Sequence, residues 1–139
     1  RLVELVAQAL GNLGSTHAVV VYGEDGLDEG SPTSATQVAE WTKGKLRRYL
    51  FTPEEAGITR VDRGSLRSDN AQTAVQEGLA ILEGALGPKT DLVTLNAGFA
   101  LVAADRVTTP TEGVQLAQKA LADGSVRKKV DQIREFYKG

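Results

Sequence analysis

The run His17-Ala18-Val19-Val20-Val21-Tyr22-Gly23-Glu24-Asp25-Gly26-Leu27-Asp28-Glu29 decides how this chain is read. Its first half is short, apolar and rich in β-branched valine. That is the pattern of a strand covered on both faces, as in a parallel sheet between helices. Gly23 ends the strand, and the carboxylates of Glu24, Asp25, Asp28 and Glu29 follow among Gly23, Gly26 and Gly30. In open α/β sheets, the C-terminal end of a strand is where ligands bind.

Working outward, Leu2, Val6, Ala9, Leu10 and Leu13 recur at helical spacing, with Gly14 placed as a C-terminal cap. On the other side, Thr36 to Trp41 and Leu46 to Phe51 read as two strands of a hairpin turning at Lys43-Gly44. Thr52-Pro53-Glu54-Glu55 has capping-box spacing with proline at the first helical position, so a short helical turn is expected there. Gly57 to Arg67 has no clear period and is assigned to loop with room for one short strand. From Asp69 a helical pattern (Ala71, Ala74, Val75, Leu79, Leu82, Ala85, Leu86) runs to Gly87-Pro88. Asp91 to Ala104 is apolar nearly all round, as in a buried helix. Thr109-Pro110-Thr111-Glu112 opens another helix, to about Ala122. After Asp123-Gly124, Ser125 caps a last helix with Val126, Val130, Ile133 and Phe136 on its apolar face. The order gives an α/β fold: a sheet flanked by helices, with a hairpin.

Composition narrows the chemistry. A 41% hydrophobic, 24% charged chain of 139 residues is long enough for one core and is read as one domain, residues 1–139. With 16 basic and 18 acidic residues, no global positive field exists to hold nucleic acid or an anionic membrane. Zero cysteines and a single histidine exclude thiolate and imidazole-rich metal sites, leaving a hard cation held by carboxylates. No apolar run approaches the roughly 20 residues of a membrane span, and no signal peptide is visible, so the expected location is cytoplasmic. The chain starts at Arg1, directly in a helical pattern with no capping residue before it, which reads as a fragment lacking its first residues.

Taken by themselves, the carboxylates leave two readings open. One is a solvated acidic loop in which Asp25-Gly26 makes a turn. The other is a cation site. Calcium in an EF-hand fails, because counting from Asp25 the third position is Leu27 and the twelfth is Thr36. Magnesium fits better, since it takes one or two protein carboxylates plus phosphates and waters.

The stretch from Ala18 to Glu29, continued by Gly30-Ser31-Pro32-Thr33, resembles the signature of anthranilate phosphoribosyltransferases. Asn70-Ala71, Leu95-Asn96-Ala97-Gly98 and two closing helices around Asp123-Gly124 match later landmarks of that family in order, over essentially the whole chain. The resemblance implies the C-terminal portion of a nucleoside phosphorylase/phosphoribosyltransferase-type α/β domain. The implied reaction moves the phosphoribosyl group of phosphoribosyl diphosphate to the nitrogen of anthranilate, in tryptophan biosynthesis, and diphosphate leaves. The resemblance also implies two Mg2+ ions on the diphosphate, with Asp28 and Glu29 as ligands and Glu24 and Asp25 as variable flanks. The glycine-rich phosphate loop, a Lys-His-Gly-Asn segment and the anthranilate-site arginine belong upstream, as does the helical domain through which the family forms a homodimer. This part of the chain is therefore expected to be inactive alone. Gly30 stands where many members carry a bulkier apolar residue.

Other residues are assigned structural roles. His17 has no nucleophile or acid at motif spacing. Lys43, Lys45, Arg47 and Arg48 blunt the edge of a hairpin. Trp41 packs a hairpin face, and Gly98 permits close backbone approach. Asn96, within an apolar helix, needs a hydrogen-bond partner and is assigned to packing. Two other functions compete: a nucleic-acid-binding paralogue using the basic hairpin, and a pyrimidine nucleoside phosphorylase. The Asp28-Glu29 doublet favours neither.

Overall fold

A computed structural model of the chain describes residues 2–138. Helix α1 (Leu2–Asn12) leads into strand β1 (His17–Gly23). After the loop 24–35 come β2 (Thr36–Thr42) and β3 (Lys45–Phe51). Two 3-10 turns (Pro53–Ala56 and Arg63–Leu66) precede α2 (Ala71–Leu82), α3 (Pro88–Ala103), α4 (Pro110–Ala122) and α5 (Ser125–Phe136). The α/β class, the flanking helices and the hairpin at Lys43-Gly44 are as the sequence indicates.

The sheet itself differs from expectation. Its order is β1-β2-β3 and both pairings are antiparallel, Val21 opposite Val38 and Val38 opposite Tyr49. The parallel arrangement inferred from the valine run is therefore wrong for this part of the chain. A parallel crossover normally carries a helix, and the loop 24–35 has none, so the chain folds back beside the strand it left.

Alternation along the strands gives the sheet two faces. Ala18, Ala39 and Trp41 turn toward α1, where the Trp41 ring fills the space that a side chain at Gly11 would need: a Cβ there would lie 2.1 Å from Cε2 of the indole. Ala7 is the buried residue of α1, whereas Leu2 and Leu13 of the sequence stripe are exposed. On the other face Val38 and Phe51 join Ile58, Leu95, Phe99 and Val114 in the core, with Phe51 and Phe99 edge-to-face at 5.5 Å. Burying such side chains contributes about 1.5–3 kcal/mol each before the entropy of ordering them is counted.

Helix α3 is buried on one side rather than all round, with Leu95, Phe99 and Val102 inward and Val93 exposed. Gly98 permits the close approach expected of it. A Cβ at Gly113 of α4 would sit 2.6 Å from the Gly98 carbonyl oxygen, so the two backbones meet without side chains between them. Glu112 accepts hydrogen bonds from the Thr108 and Thr109 amides, at 2.9 and 3.2 Å, and fixes the start of α4.

Three smaller expectations change. The short strand allowed in 57–67 is absent among the described residues; a 3-10 turn capped by Asp62 stands there instead. Helix α2 stops at Leu82 rather than near Gly87, because Gly84 takes φ +90° and turns the chain. Ser125 is the first residue of α5, not its cap, and no residue of α5 is buried, so its apolar face is not part of this core.

Candidate functional site

The loop after β1 is built around Asp25. Its Oδ2 accepts from Ser31 Oγ at 2.9 Å and also from Thr33 Oγ1, and its Oδ1 accepts from the Leu27 amide at 3.3 Å. Ser31 is fully buried, and its amide donates to Thr36 Oγ1 at the start of β2. Burial raises the pKa of Asp25, but the hydroxyl and amide hydrogen bonds outweigh it and hold the carboxyl below its ordinary value. Gly26, at φ +90°, makes the expected Asp25-Gly26 turn, and its amide donates to the Gly23 carbonyl at 2.9 Å. Arg63, from the 3-10 turn, donates to the Asp25 carbonyl.

A second anchor lies beyond the doublet. The Gly30 amide donates to Asn96 Oδ1 at 2.7 Å, and Asn96 Nδ2 donates back to the Gly30 carbonyl at 3.0 Å. Gly30 rests on the core: a Cβ there would lie 2.7 Å from the Phe99 ring. A bulkier residue does not fit this loop as it is packed here.

Between these anchors stand Asp28 and Glu29. Asp28 is exposed and Glu29 half-buried, and neither carboxylate has a hydrogen-bond or salt-bridge partner among the described residues. Burial and the neighbouring charge of Asp28 push the Glu29 carboxyl above its ordinary pKa. A cation placed against both would relieve that repulsion. Asp28 also borders a hollow of about 480 Å³ between α1 and β1, walled by Val6, Val20, Tyr22 and Gln37.

This donor set tests which metal the loop could hold. No group of three or more His, Cys, Asp or Glu side chains able to hold a metal exists among the described residues. Two free carboxylates do not make a protein cage for zinc or calcium. They do fit magnesium, which keeps waters and phosphate oxygens as most of its ligands.

Of the four acidic residues, then, the structure commits Asp25 to the loop and leaves the carboxylates of Glu24, Asp28 and Glu29 without a partner among the described residues. Glu24 is exposed, and its amide pairs with the Ala35 carbonyl at 2.8 Å. The sequence reading missed the organising role of Asp25. Its signal was present in Ser31 and Thr33, short hydroxyls able to reach back across the turn.

The other singled-out polar residues lie beside oppositely charged groups of the fold. His17 lies with Nε2 3.4 Å from Glu40 and Nδ1 2.8 Å from Asp105. Arg47 pairs with Glu40 at 2.7 Å and Arg48 with Glu4 at 2.8 Å, so half of the basic cluster on the hairpin is already matched.

The chain is similar to known proteins over nearly its whole length. The family model described as glycosyl transferase family, a/b domain, matches residues 1–127. An anthranilate phosphoribosyltransferase of Symbiobacterium thermophilum is 42% identical over 97% of this chain and 40% of its own length. The crystal structure of an anthranilate phosphoribosyltransferase from Thermus thermophilus superposes with a TM-score of 0.85, at 33% identity, over 96% of this chain and 39% of that one. A Saccharomyces cerevisiae enzyme of the same name, in complex with phosphoribosyl diphosphate and Mg, shares the fold at TM-score 0.80 and 21% identity, over 94% of this chain and 38% of its own. The chain thus spans about 40% of the length of the curated relatives it matches.

Proposed function

The chain belongs to the glycosyl transferase family, matching its a/b domain, and from that premise we propose that it is the C-terminal part of an anthranilate phosphoribosyltransferase. The reaction is transfer of the phosphoribosyl group of phosphoribosyl diphosphate to anthranilate, a step of tryptophan biosynthesis, with release of diphosphate. The observation that carries this reading is the Asp28-Glu29 doublet, without partners among the described residues and on a loop tied down on both sides of it. The similarity to named anthranilate phosphoribosyltransferases supports the choice of substrates.

In this reading Asp28 and Glu29 would hold the magnesium that accompanies the diphosphate. When bound, the metal spreads the negative charge that develops on the departing diphosphate. The chain's own contribution is positional and electrostatic. Two adjacent carboxylates repel a bare diphosphate, so the loop admits it only together with its cation. The knot at Asp25 and the clamp at Gly30 hold those carboxylates in place before substrate arrives, which spares reorganisation during the reaction.

The same reading places two Mg2+ ions with the diphosphate and the protein in the cytoplasm. It also assigns the anthranilate site, the main phosphate loop and a homodimer contact to sequence outside these residues. Absence of nucleic-acid binding is supported by the ion pairs that occupy Arg47 and Arg48. No helix among the described residues is long and apolar enough to cross a membrane. The test is the magnesium dependence of phosphoribosyl transfer in the full-length protein. Asp28→Asn combined with Glu29→Gln is expected to weaken it sharply while anthranilate binding changes little. A wild-type magnesium response in the double variant overturns the assignment.

A further inference from the structure

We propose that Asn96 is a positioning residue for the Asp28-Glu29 doublet, acting through Gly30. The proposal rests on the reading of that doublet as the metal site and adds the device that sets its place. Asn96 lies mid-helix on α3, where asparagine is a poorer helix former than alanine. Its side chain is nonetheless fully used. Oδ1 accepts from the Gly30 amide at 2.7 Å, and Nδ2 donates to the Gly30 carbonyl at 3.0 Å and to the Leu92 carbonyl at 2.9 Å. An amide has two donor hydrogens, and both find carbonyls here.

The pairing copies what a neighbouring strand would do, satisfying both backbone groups of one residue. The residue so held is the one next to Glu29, and consecutive Cα atoms are only about 3.8 Å apart. Motion of Gly30 toward the core is stopped by the Phe99 ring, one helical turn beyond Asn96. With Asp25 fixed by Ser31 and Thr33, only Gly26 to Glu29 remain between two anchors. The clamp therefore transmits the position of the core helix to the carboxylates. Residues that orient metal ligands in this way typically change metal affinity about 10–100-fold when removed.

The test uses the full-length protein with Mn2+ and inorganic diphosphate as the probe, measured by calorimetry, together with hydrogen exchange at the Gly30 amide. Asn96→Ala is expected to weaken Mn2+-diphosphate binding about tenfold and to speed exchange at Gly30. Gly30→Ala perturbs the clamp from the loop side, should lower affinity in the same way, and carries the test if Asn96→Ala does not fold. Val102→Ala opens a cavity on the same helix and is the structural control: lower Tm, unchanged affinity. Wild-type affinity in Asn96→Ala or Gly30→Ala, while Asp28→Asn loses it, overturns the positioning role. Wild-type affinity in Asp28→Asn overturns the metal site itself, and the positioning role with it.

Discussion

At the His17 end of the β1–β2 pair, Glu40 is 6% exposed and its carboxylate is paired. Arg47 pairs with it at 2.7 Å, His17 stands 3.4 Å away, and the Arg47 guanidinium lies over the Tyr49 ring at 4.6 Å. At the Gly23 end, Asp28 and Glu29 have no partner among the described residues, although Asp25, three residues before Asp28, has several. Burying a charge costs several kcal/mol unless protein groups replace the lost water, so Glu40 carries its partners with it. Carboxylates left unanswered on an anchored loop are the ones available to something that is not protein. The contrast separates acidic residues that hold the fold from those that face a ligand.

The largest effect expected from breaking this contrast is at the free end. Asp28→Asn with Glu29→Gln should cost about 100-fold in turnover of the full-length protein, read from rates across a magnesium titration. Its Tm should stay the same or rise, since neutralising two unpartnered like charges removes repulsion. A fall in Tm matching that of a core variant would place the doublet with Glu40 instead.

At the paired end the outcome reverses. Glu40→Ala strands Arg47 and should destabilise by about 2 kcal/mol, below the full figure for a buried pair because Arg47 is largely exposed. Thermal or urea unfolding measures this, and the magnesium response of the folded variant should be that of the wild type.

Asp25→Asn is expected to cost about 1 kcal/mol at neutral pH. Its folded pKa lies below the ordinary 3.8, so its contribution is present above that value and is lost as pH falls through the lower folded value. Unfolding measured across the acid range should show the wild type losing stability there and the variant with a flatter acid limb.

The smallest effect concerns Tyr49. Burial, then the charge of Glu40, pushes its phenol up to about 12. The associated stability is present below the ordinary value of 10.0 and fades as pH rises toward about 12. Ultraviolet titration should show a late phenolate step that Tyr49→Phe removes.

Much of this was legible in the residues, for reasons that differ by element. The capping boxes at Thr52 and Thr109 and the turn at Lys43-Gly44 are local, and the structure keeps them. Asp28 and Glu29 were picked out through a resemblance, and the structure adds that they are unpartnered among the described residues. The direction of β1 was misread, because a run of valines reports burial and carries no information on the neighbouring strand. The stripe of α1 was visible, but Gly11 and Ala7 are what the sheet receives, since close packing over Trp41 selects the small residues. Asn96 announced that it needed a partner without saying which.

The acidic loop shows where the division falls. Sequence alone determined that a glycine-rich, carboxylate-rich turn follows a β-branched strand, because turn chemistry and strand propensity act over a few residues. Only the tertiary structure decided which carboxylates are free. That depends on Ser31 and Thr33 folding back onto Asp25, and on a helix 66 positions further along the chain presenting Asn96 to Gly30. Hydrogen bonds form between atoms brought within about 3 Å, and packing of the core determines which distant residues come that close.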